Sequence, residues 1–350
     1  MSLLVDIRKS YGPFTLDVAF ATDGDILGLL GASGCGKSVT LKCIAGIEHP
    51  DEGRIVLNGR VLFDSEKRID LPPQERRVGY LFQQYALFPT MTVEQNVAAG
   101  ARRLPGEERK AAVNAMLEKM QIADLRAKYP AQLSGGQQQR TALARILINE
   151  PEVLLLDEPF AALDSHLRDR MEQEVMGVLH EFSGDALIVS HSRDEIYRMT
   201  DRIAVYNAGR IDAIGEKHEL FRNPGTLTAA MLTGCKNYSR VSGLRHEGGR
   251  TVFTADDWGM ELSVTGEKTG DVVGLRRHYA VLADAPGENT YEMEITGVME
   301  DPFEYVVLLR RPGFGGEPFG WAVTKEEYAA LPKERLFLRF PDRALMLLRR

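Results

Sequence analysis

From the first residues to about position 215, short apolar runs rich in branched side chains alternate with stretches whose apolar residues recur every three or four positions. The runs at 3–7, 26–30, 55–57, 78–82, 153–156, 186–189 and 202–206 predict strands, and their alternation with helical stretches predicts a mostly parallel sheet with helices packed around it. Between 97 and 149 the period becomes helical throughout. Val113, Met116, Leu117 and Met120 fall on one face and Ala142, Leu143, Ile146 and Leu147 on another, which predicts a helical insert. From about residue 235, glycines and aromatic residues punctuate short strand-like runs at 251–253, 272–275, 292–297 and 305–309. The expected organisation is therefore an α/β domain over 1–234 and a small all-β, barrel-like domain over 235–350.

A length of 350 residues, with 44% hydrophobic and 27% charged residues, suits two soluble domains rather than a disordered or fibrous chain. The apolar run at 26–30 is far shorter than the roughly 20 residues of a spanning helix. No basic region followed by an apolar stretch and a cleavage site opens the sequence, so neither membrane insertion nor export is expected. Cys35, Cys43 and Cys235 lack Cys-x-x-Cys or Cys-His spacing and are read as reduced thiols. A formal net charge of −7 leaves no basic footprint for nucleic acid.

Against that background three segments carry chemistry. Gly31-Ala32-Ser33-Gly34-Cys35-Gly36-Lys37-Ser38 fits Gly-x4-Gly-Lys-Ser/Thr between an apolar strand and a helical stretch. Its glycines let backbone N–H groups turn toward phosphate oxygens, Lys37 reaches the β- and γ-phosphates, and the Ser38 hydroxyl can ligate Mg²⁺. The strand at 153–156 ends in Asp157 and Glu158. Asp157 suits Mg²⁺ and its waters, and Glu158 suits the water that attacks the γ-phosphate. Ser134 reads as the N-cap of the helix carrying Ala142, and the following Gly135 and Gly136 expose N–H groups at a positive helix end. That is a second phosphate-binding device in one chain.

Leu133-Ser134-Gly135-Gly136-Gln137 is the signature of the nucleotide-binding subunits of ABC transporters, which the chain resembles over about residues 1–235. The resemblance implies an ABC-type P-loop NTPase fold with a helical subdomain, using ATP and Mg²⁺. It further implies that Tyr11 stacks on adenine, that Gln83 is the Q-loop residue linking the Mg²⁺ site to membrane subunits, that Ala162-Leu163-Asp164 is the D-loop, and that His191 is the switch histidine. The expected catalytic residues are thus Glu158, His191 and Gln83, and the expected metal site is Ser38, Gln83 and Asp157. Nucleotide contacts are expected from Tyr11, residues 31–39, Ser134, Gly135, Gly136, Gln137 and Asp164. Val39, Ala161 and Ser192 depart from the family pattern without removing a catalytic group.

In the family the signature of one subunit covers the phosphate held by the other. A homodimer is therefore expected, with permease subunits as partners near residues 83–94, a substrate-binding protein acting indirectly, and a peripheral location on the cytoplasmic face of the membrane. Segments 55–65 and 76–83, together with Gly234-Cys235-Lys236-Asn237, resemble the ATPases of molybdate importers. The C-terminal part resembles the accessory β domain of importer ATPases, but Gly274-Leu275-Arg276-Arg277-His278 departs from the Gly-x-Arg-Pro-Glu of sugar-type relatives. Arg276, Arg277 and His278 are expected to form a solvated basic cluster, with oxyanion sensing as the sharper alternative. A soluble ABC ATPase acting on DNA or ribosomes would share the motifs. The single nucleotide domain, the lack of a coiled-coil insert and the acidic charge argue against it.

Overall fold

A computed structural model describes residues 2–161, 165–332 and 335–350, with the side chains of 165–167 excepted. It divides into two compact units, Met1–Lys217 and His218–Arg350.

The first unit begins β1 (Leu3–Tyr11), β2 (Phe14–Thr22), β3 (Ile26–Gly31), α1 (Lys37–Ala45), β4 (Glu52–Leu57), β5 (Arg60–Asp64), β6 (Ile69–Asp70) and β7 (Val78–Leu81). It continues α2 (Val93–Gly100), α3 (Gly106–Lys119), α4 (Gly135–Leu147), β8 (Val153–Asp157), α5 (Ser165–Glu181), β9 (Asp185–Ser190), α6 (Arg193–Met199), β10 (Arg202–Asn207) and β11 (Arg210–Glu216). One sheet has the order β11-β10-β3-β9-β8-β7 and is parallel except where β11 joins β10. Its central strands are buried on both faces, every residue of β8 and β9 included, whereas the edge strand β11 is mostly exposed or half-buried.

The predicted strands at 3–7 and 55–57 are not in that sheet. They lie in β1 and β4 of a second, antiparallel sheet ordered β2-β1-β4-β5-β6. The physical reason is visible in β1, where Leu3, Val5 and Ile7 are buried while Asp6 and Arg8 are exposed. That alternation belongs to a strand with one wet face, whereas a parallel core strand is apolar on both. The inner faces of the two sheets and α1 share one core, in which Leu3, Leu16, Leu29, Ile44, Leu155 and Leu187 are all buried. The helical insert begins at Val93 rather than 97, because Thr92 and Gln95 form a capping box there.

The order of the parallel sheet decides where the chemistry goes. β3, β9, β8 and β7 are consecutive neighbours, so the loops leaving their carboxyl ends emerge side by side. Those loops begin the segments that hold Lys37, His191, Glu158 and Gln83.

The second unit contains α7 (Lys217–Arg222), α8 (Leu227–Leu232), β12 (Asn237–Glu247), β13 (Arg250–Ala255), β14 (Met260–Thr265), β15 (Val272–Leu275) and β16 (Val281–Ala283). After them come β17 (Thr290–Glu300), β18 (Glu304–Arg310), β19 (Phe319–Thr324), α9 (Lys325–Ala329), β20 (Arg335–Arg339) and β21 (Met346–Leu348). Pairing among the described residues forms two five-stranded sheets, β14-β13-β12-β15-β21 and β16-β20-β17-β18-β19, instead of one barrel-like sheet. They face each other across a core that includes Phe253, Leu262, Val273, Val307, Trp321 and Leu338.

The division at Lys217 precedes the boundary expected at 234. The reason is that α8 docks into the second unit: Ala230 joins Cys235, Val272 and Leu348 in a buried cluster, and Leu227 N–H donates to the Arg349 carbonyl at 2.8 Å. No helix among the described residues is long and apolar enough to cross a membrane.

Candidate active site

The loop from β3 to α1 is built for close approach of an anion. Gly34 and Gly36 have φ of +78° and +106°, in the region that L side chains avoid. A Cβ on Gly36 would also lie 2.7 Å from Leu16 Cδ1. Gly36 caps α1 without any side-chain hydrogen bond, so the first N–H groups of the helix are left for a ligand. Lys37 is buried and folds its ammonium back over the loop, donating to the carbonyls of Gly31 (2.7 Å) and Ala32 (2.8 Å). Cys35 Sγ lies 3.6 Å from the same nitrogen. Ala32 and Ser33 are exposed, and the side chain of Val39 packs against the core, leaving only its backbone N–H to serve a phosphate. Gly36→Ala combines backbone strain with a steric clash costing about 1–3 kcal/mol, so ATP affinity is expected to fall by about 5- to 150-fold in a fluorescent-nucleotide titration.

The Ser38 hydroxyl donates to Asp157 Oδ1 at 2.7 Å, bringing the ends of the P-loop and β8 together across 119 positions of sequence. Among the described residues no group of three or more His, Cys, Asp or Glu side chains could hold a metal unaided. The Ser38–Asp157 pair nevertheless fits Mg²⁺, which keeps several waters and takes much of its coordination from substrate phosphates.

Glu158 follows directly. Its backbone is left-handed at φ +47°, a strained state for this residue, and its N–H donates to the Val189 carbonyl on β9 at 3.0 Å. The turn aims the carboxylate at two side chains from neighbouring strands. Gln83 Nε2 donates to Glu158 Oε2 at 3.5 Å, and His191 Nδ1 lies 3.6 Å from the same oxygen. Gln83, Glu158 and His191 are thus brought together. Ala161 N–H donates to the Glu158 carbonyl, while Ala162, Leu163 and Asp164 lie outside the described residues.

Ser134 and Gln137 form a reciprocal capping box, with Ser134 N–H donating to Gln137 Oε1 at 3.0 Å and Gln137 N–H to Ser134 Oγ at 3.4 Å. Ser134 is exposed and Gly135 half-buried, while Gly136 is packed under Met171. Among the described residues no hydrogen bond joins this segment to residues 31–38. Tyr11 is 40% exposed, donates to Glu48 Oε2 at 3.2 Å, and has the Lys9 ammonium 5.5 Å from its ring centre. Burial and the Glu48 carboxylate push its phenol up to about 12, so it remains a neutral, flat ring.

Several supporting side chains escape sequence reasoning. Tyr80 donates its hydroxyl to Asp157 Oδ2 at 2.8 Å, and burial followed by the Asp157 charge holds its pKa far above the ordinary value. Buried Glu195 accepts from Ser190 Oγ at 2.6 Å, and Ser190 Oγ in turn accepts from Ser192 N–H at 2.9 Å, which braces the turn presenting His191. Arg145 on α4 donates to the carbonyls of Ala86 (2.8 Å) and Tyr85 (3.0 Å), both in left-handed backbone just after Gln83. No local pattern marks Tyr80 or Arg145, because their partners lie 77 and about 60 positions away; the Ser190–Ser192–Glu195 contacts are local.

In the second unit Arg276 and its neighbours do not form the solvated cluster that was expected. Arg276 turns to the carbonyls of Thr233 and Phe221, the half-buried Arg277 carries a buried Nε, and His278 approaches Glu304 at 3.7 Å. Carbonyl groups at the ends of α7 and α8 recruit Arg276 because helix C-termini leave acceptors unsatisfied.

Residues 18–161 match the family described as ABC transporter. The molybdenum import ATP-binding protein ModC of Paramagnetospirillum magneticum is 41% identical over 221 residues, covering 63% of this chain and 61% of that relative. The chain therefore spans less than two thirds of that protein's length. The spermidine/putrescine import ATP-binding protein PotA of Bacillus thuringiensis (strain Al Hakam) is 41% identical over 239 residues, covering 66% of this chain and 70% of the relative. Among solved structures, the ATP-binding cassette MJ0796, in a dimeric post-hydrolysis state bound to ADP and Pi, aligns with a TM-score of 0.53 at 28% identity. That alignment covers 62% of this chain and 99% of the cassette.

Proposed function

The chain belongs to the ABC transporter family, and on that premise we propose that it is the ATP-hydrolysing subunit of an importer, with its nucleotide sites shared between two copies of the chain. The observation that carries this reading is the meeting of Gln83 and His191 at one oxygen of Glu158, on the loops beside the Ser38–Asp157 pair.

When bound, ATP supplies the transferable phosphoryl group and Mg²⁺ the charge that neutralises its oxygens. The chain's own residues do the rest. Lys37 exchanges its two carbonyl acceptors for phosphate oxygens, and the N–H groups at the start of α1 orient them. Ser38 and Asp157, with Gln83 beside them, would hold the metal. Glu158 accepts the hydrogen bond of the attacking water and orients it, while Gln83 and His191 keep the carboxylate aimed and report the state of the phosphate. Tyr11 offers its ring to adenine.

The Ser134–Gln137 turn, with Ser134 exposed and, among the described residues, no hydrogen bond to its own P-loop, is suited to closing over the nucleotide of a second copy, and Asp164 is assigned to the same interface. Permease subunits dock near residues 83–94, a substrate-binding protein delivers the cargo, and the chain sits peripherally on the cytoplasmic face of the membrane. The second unit serves as an accessory or regulatory domain.

For the cargo we take molybdate, with tungstate and sulfate as related oxyanions; ferric iron and sugars are the alternatives. Support comes from segments 55–65 and 76–83 and from Gly234-Cys235-Lys236-Asn237. The names of the relatives do not separate cargoes, because molybdenum and polyamine importers match at the same 41% identity. The test is uptake in cells with and without the chain, grown in trace molybdate, tungstate, sulfate and iron. Selective loss of molybdenum or tungsten is expected; unchanged oxyanion uptake with loss of iron overturns the cargo assignment and leaves the ATPase reading standing.

A further inference from the structure

We infer that Tyr80 is a positioning residue for the metal site, holding Asp157 so that one of its oxygens stays turned toward Ser38. This rests on the proposed Mg²⁺-dependent ATP hydrolysis at that pair. β7 and β8 are parallel neighbours in which Tyr80 is level with Leu155, so the phenol reaches two residues along β8 to the last position of the strand.

There the two oxygens of Asp157 are divided between two donors. Tyr80 Oη–H donates to Oδ2 at 2.8 Å and Ser38 Oγ–H to Oδ1 at 2.7 Å, and the carboxylate is buried at 7% exposure. A hydrogen bond to each oxygen fixes the plane of the carboxylate, which a single bond would not. The Ser38 oxygen can offer a lone pair to a metal while its hydrogen stays on Oδ1, so that bond fixes only one of the two carboxylate oxygens. Among the described residues Tyr80 is the side chain that holds the other oxygen, Oδ2. Its ring is itself fixed by contact with Phe82, at 4.4 Å between centroids.

Tyrosine is needed for its hydroxyl, not for its volume. Nothing in the strand's packing distinguishes it from phenylalanine, and an apolar ring would leave a buried carboxylate oxygen without its donor. Partners that orient a metal ligand from behind are generally worth 10- to 100-fold in metal affinity.

The experiment compares the full chain with Tyr80→Phe and Asp157→Asn. It measures fluorescent ADP affinity in EDTA, Mn²⁺ binding to the ADP complex by electron paramagnetic resonance, and the Mg²⁺ dependence of ATP turnover. For Tyr80→Phe the expectation is unchanged ADP affinity in EDTA, about tenfold weaker Mn²⁺ binding, and a matching rise in half-saturating Mg²⁺ with turnover largely recovered at saturation. Asp157→Asn is expected to lose Mn²⁺ binding outright.

If Asp157→Asn loses the metal and Tyr80→Phe binds it like the parent, the role of Tyr80 is overturned while the metal site stands. If Asp157→Asn also binds like the parent, the metal site and this inference fall together. A purely structural role for Tyr80 would lower the melting temperature and leave the Mg²⁺ dependence where it was, which likewise overturns the inference.

Discussion

Glu158→Gln is expected to lower ATP turnover by about 10³-fold, within the range for loss of a positioned general base, while ATP still binds. The substitution keeps the volume and the strained turn at φ +47°, so the backbone bond to Val189 and the approach of Gln83 and His191 remain available. What disappears is the negative oxygen that both side chains address. An ATP-bound pair of chains that cannot hydrolyse its nucleotide should accumulate, visible as a doubling of mass by light scattering in ATP and Mg²⁺. Turnover within a few-fold of the parent would remove Glu158 from the chemistry. Loss of turnover with the chain still monomeric in ATP would keep Glu158 and discard the shared-site arrangement.

Arg76→Met is expected to cost the first unit about 3–5 kcal/mol of stability, because it leaves buried carbonyl acceptors unsatisfied at about 1–3 kcal/mol each. Arg76 is fully buried. Its guanidinium donates to the carbonyls of Cys43 (2.7 Å), Ile44 (3.0 Å) and Leu71 (2.7 Å) and to Asp70 Oδ1 at 2.7 Å. Burial pulls its pKa down and Asp70 pulls it back up, which leaves it charged. The two α1 carbonyls lie at the C-terminal end of the P-loop helix, where a cation also meets the negative end of the helix dipole. Gly46 makes room for it: a Cβ there would sit 2.5 Å from Arg76 Nε. Methionine fills the volume but strands the carbonyls of Ile44 and Leu71, while that of Cys43 keeps the Gly46 N–H at 3.2 Å. A fall in the calorimetric midpoint of roughly 10 °C follows for a unit of this size. A shift below about 2 °C would mean that water replaces the guanidinium without loss.

Arg76 and Tyr80 stand on either side of the line between what could be read and what could not. Both lie in the segment 76–83, chosen in the sequence for its resemblance to molybdate-importer ATPases, yet neither function is written there. Arg76 looks like any surface cation until the carbonyls of α1 surround it, 32 and 33 positions away. Tyr80 looks like a core aromatic until β8 brings Asp157 to its hydroxyl from 77 positions away. The sheet assignment failed at β1 and β4 for a different reason. Their alternating pattern is present in the sequence, and it places them in the antiparallel sheet rather than in the mostly parallel one.

The sequence by itself determined the local conformations of the candidate site. The P-loop, the Asp157-Glu158 strand end and the Ser134 cap are contiguous runs whose backbone conformation and donors are set by their own glycines, capping residues and neighbours. It also determined that the second unit is built of strands, since the aromatic and glycine spacing is local. Only the tertiary structure decided which loops meet. The order β3-β9-β8-β7 is a matter of hydrophobic faces packing on one another across the whole first unit, and that order delivers Gln83 and His191 to one oxygen of Glu158. It also decided that α8 belongs with the second unit, through Leu348 and Val272. Contacts between residues far apart in the chain depend on the closure of the whole core, and no window of sequence contains that information.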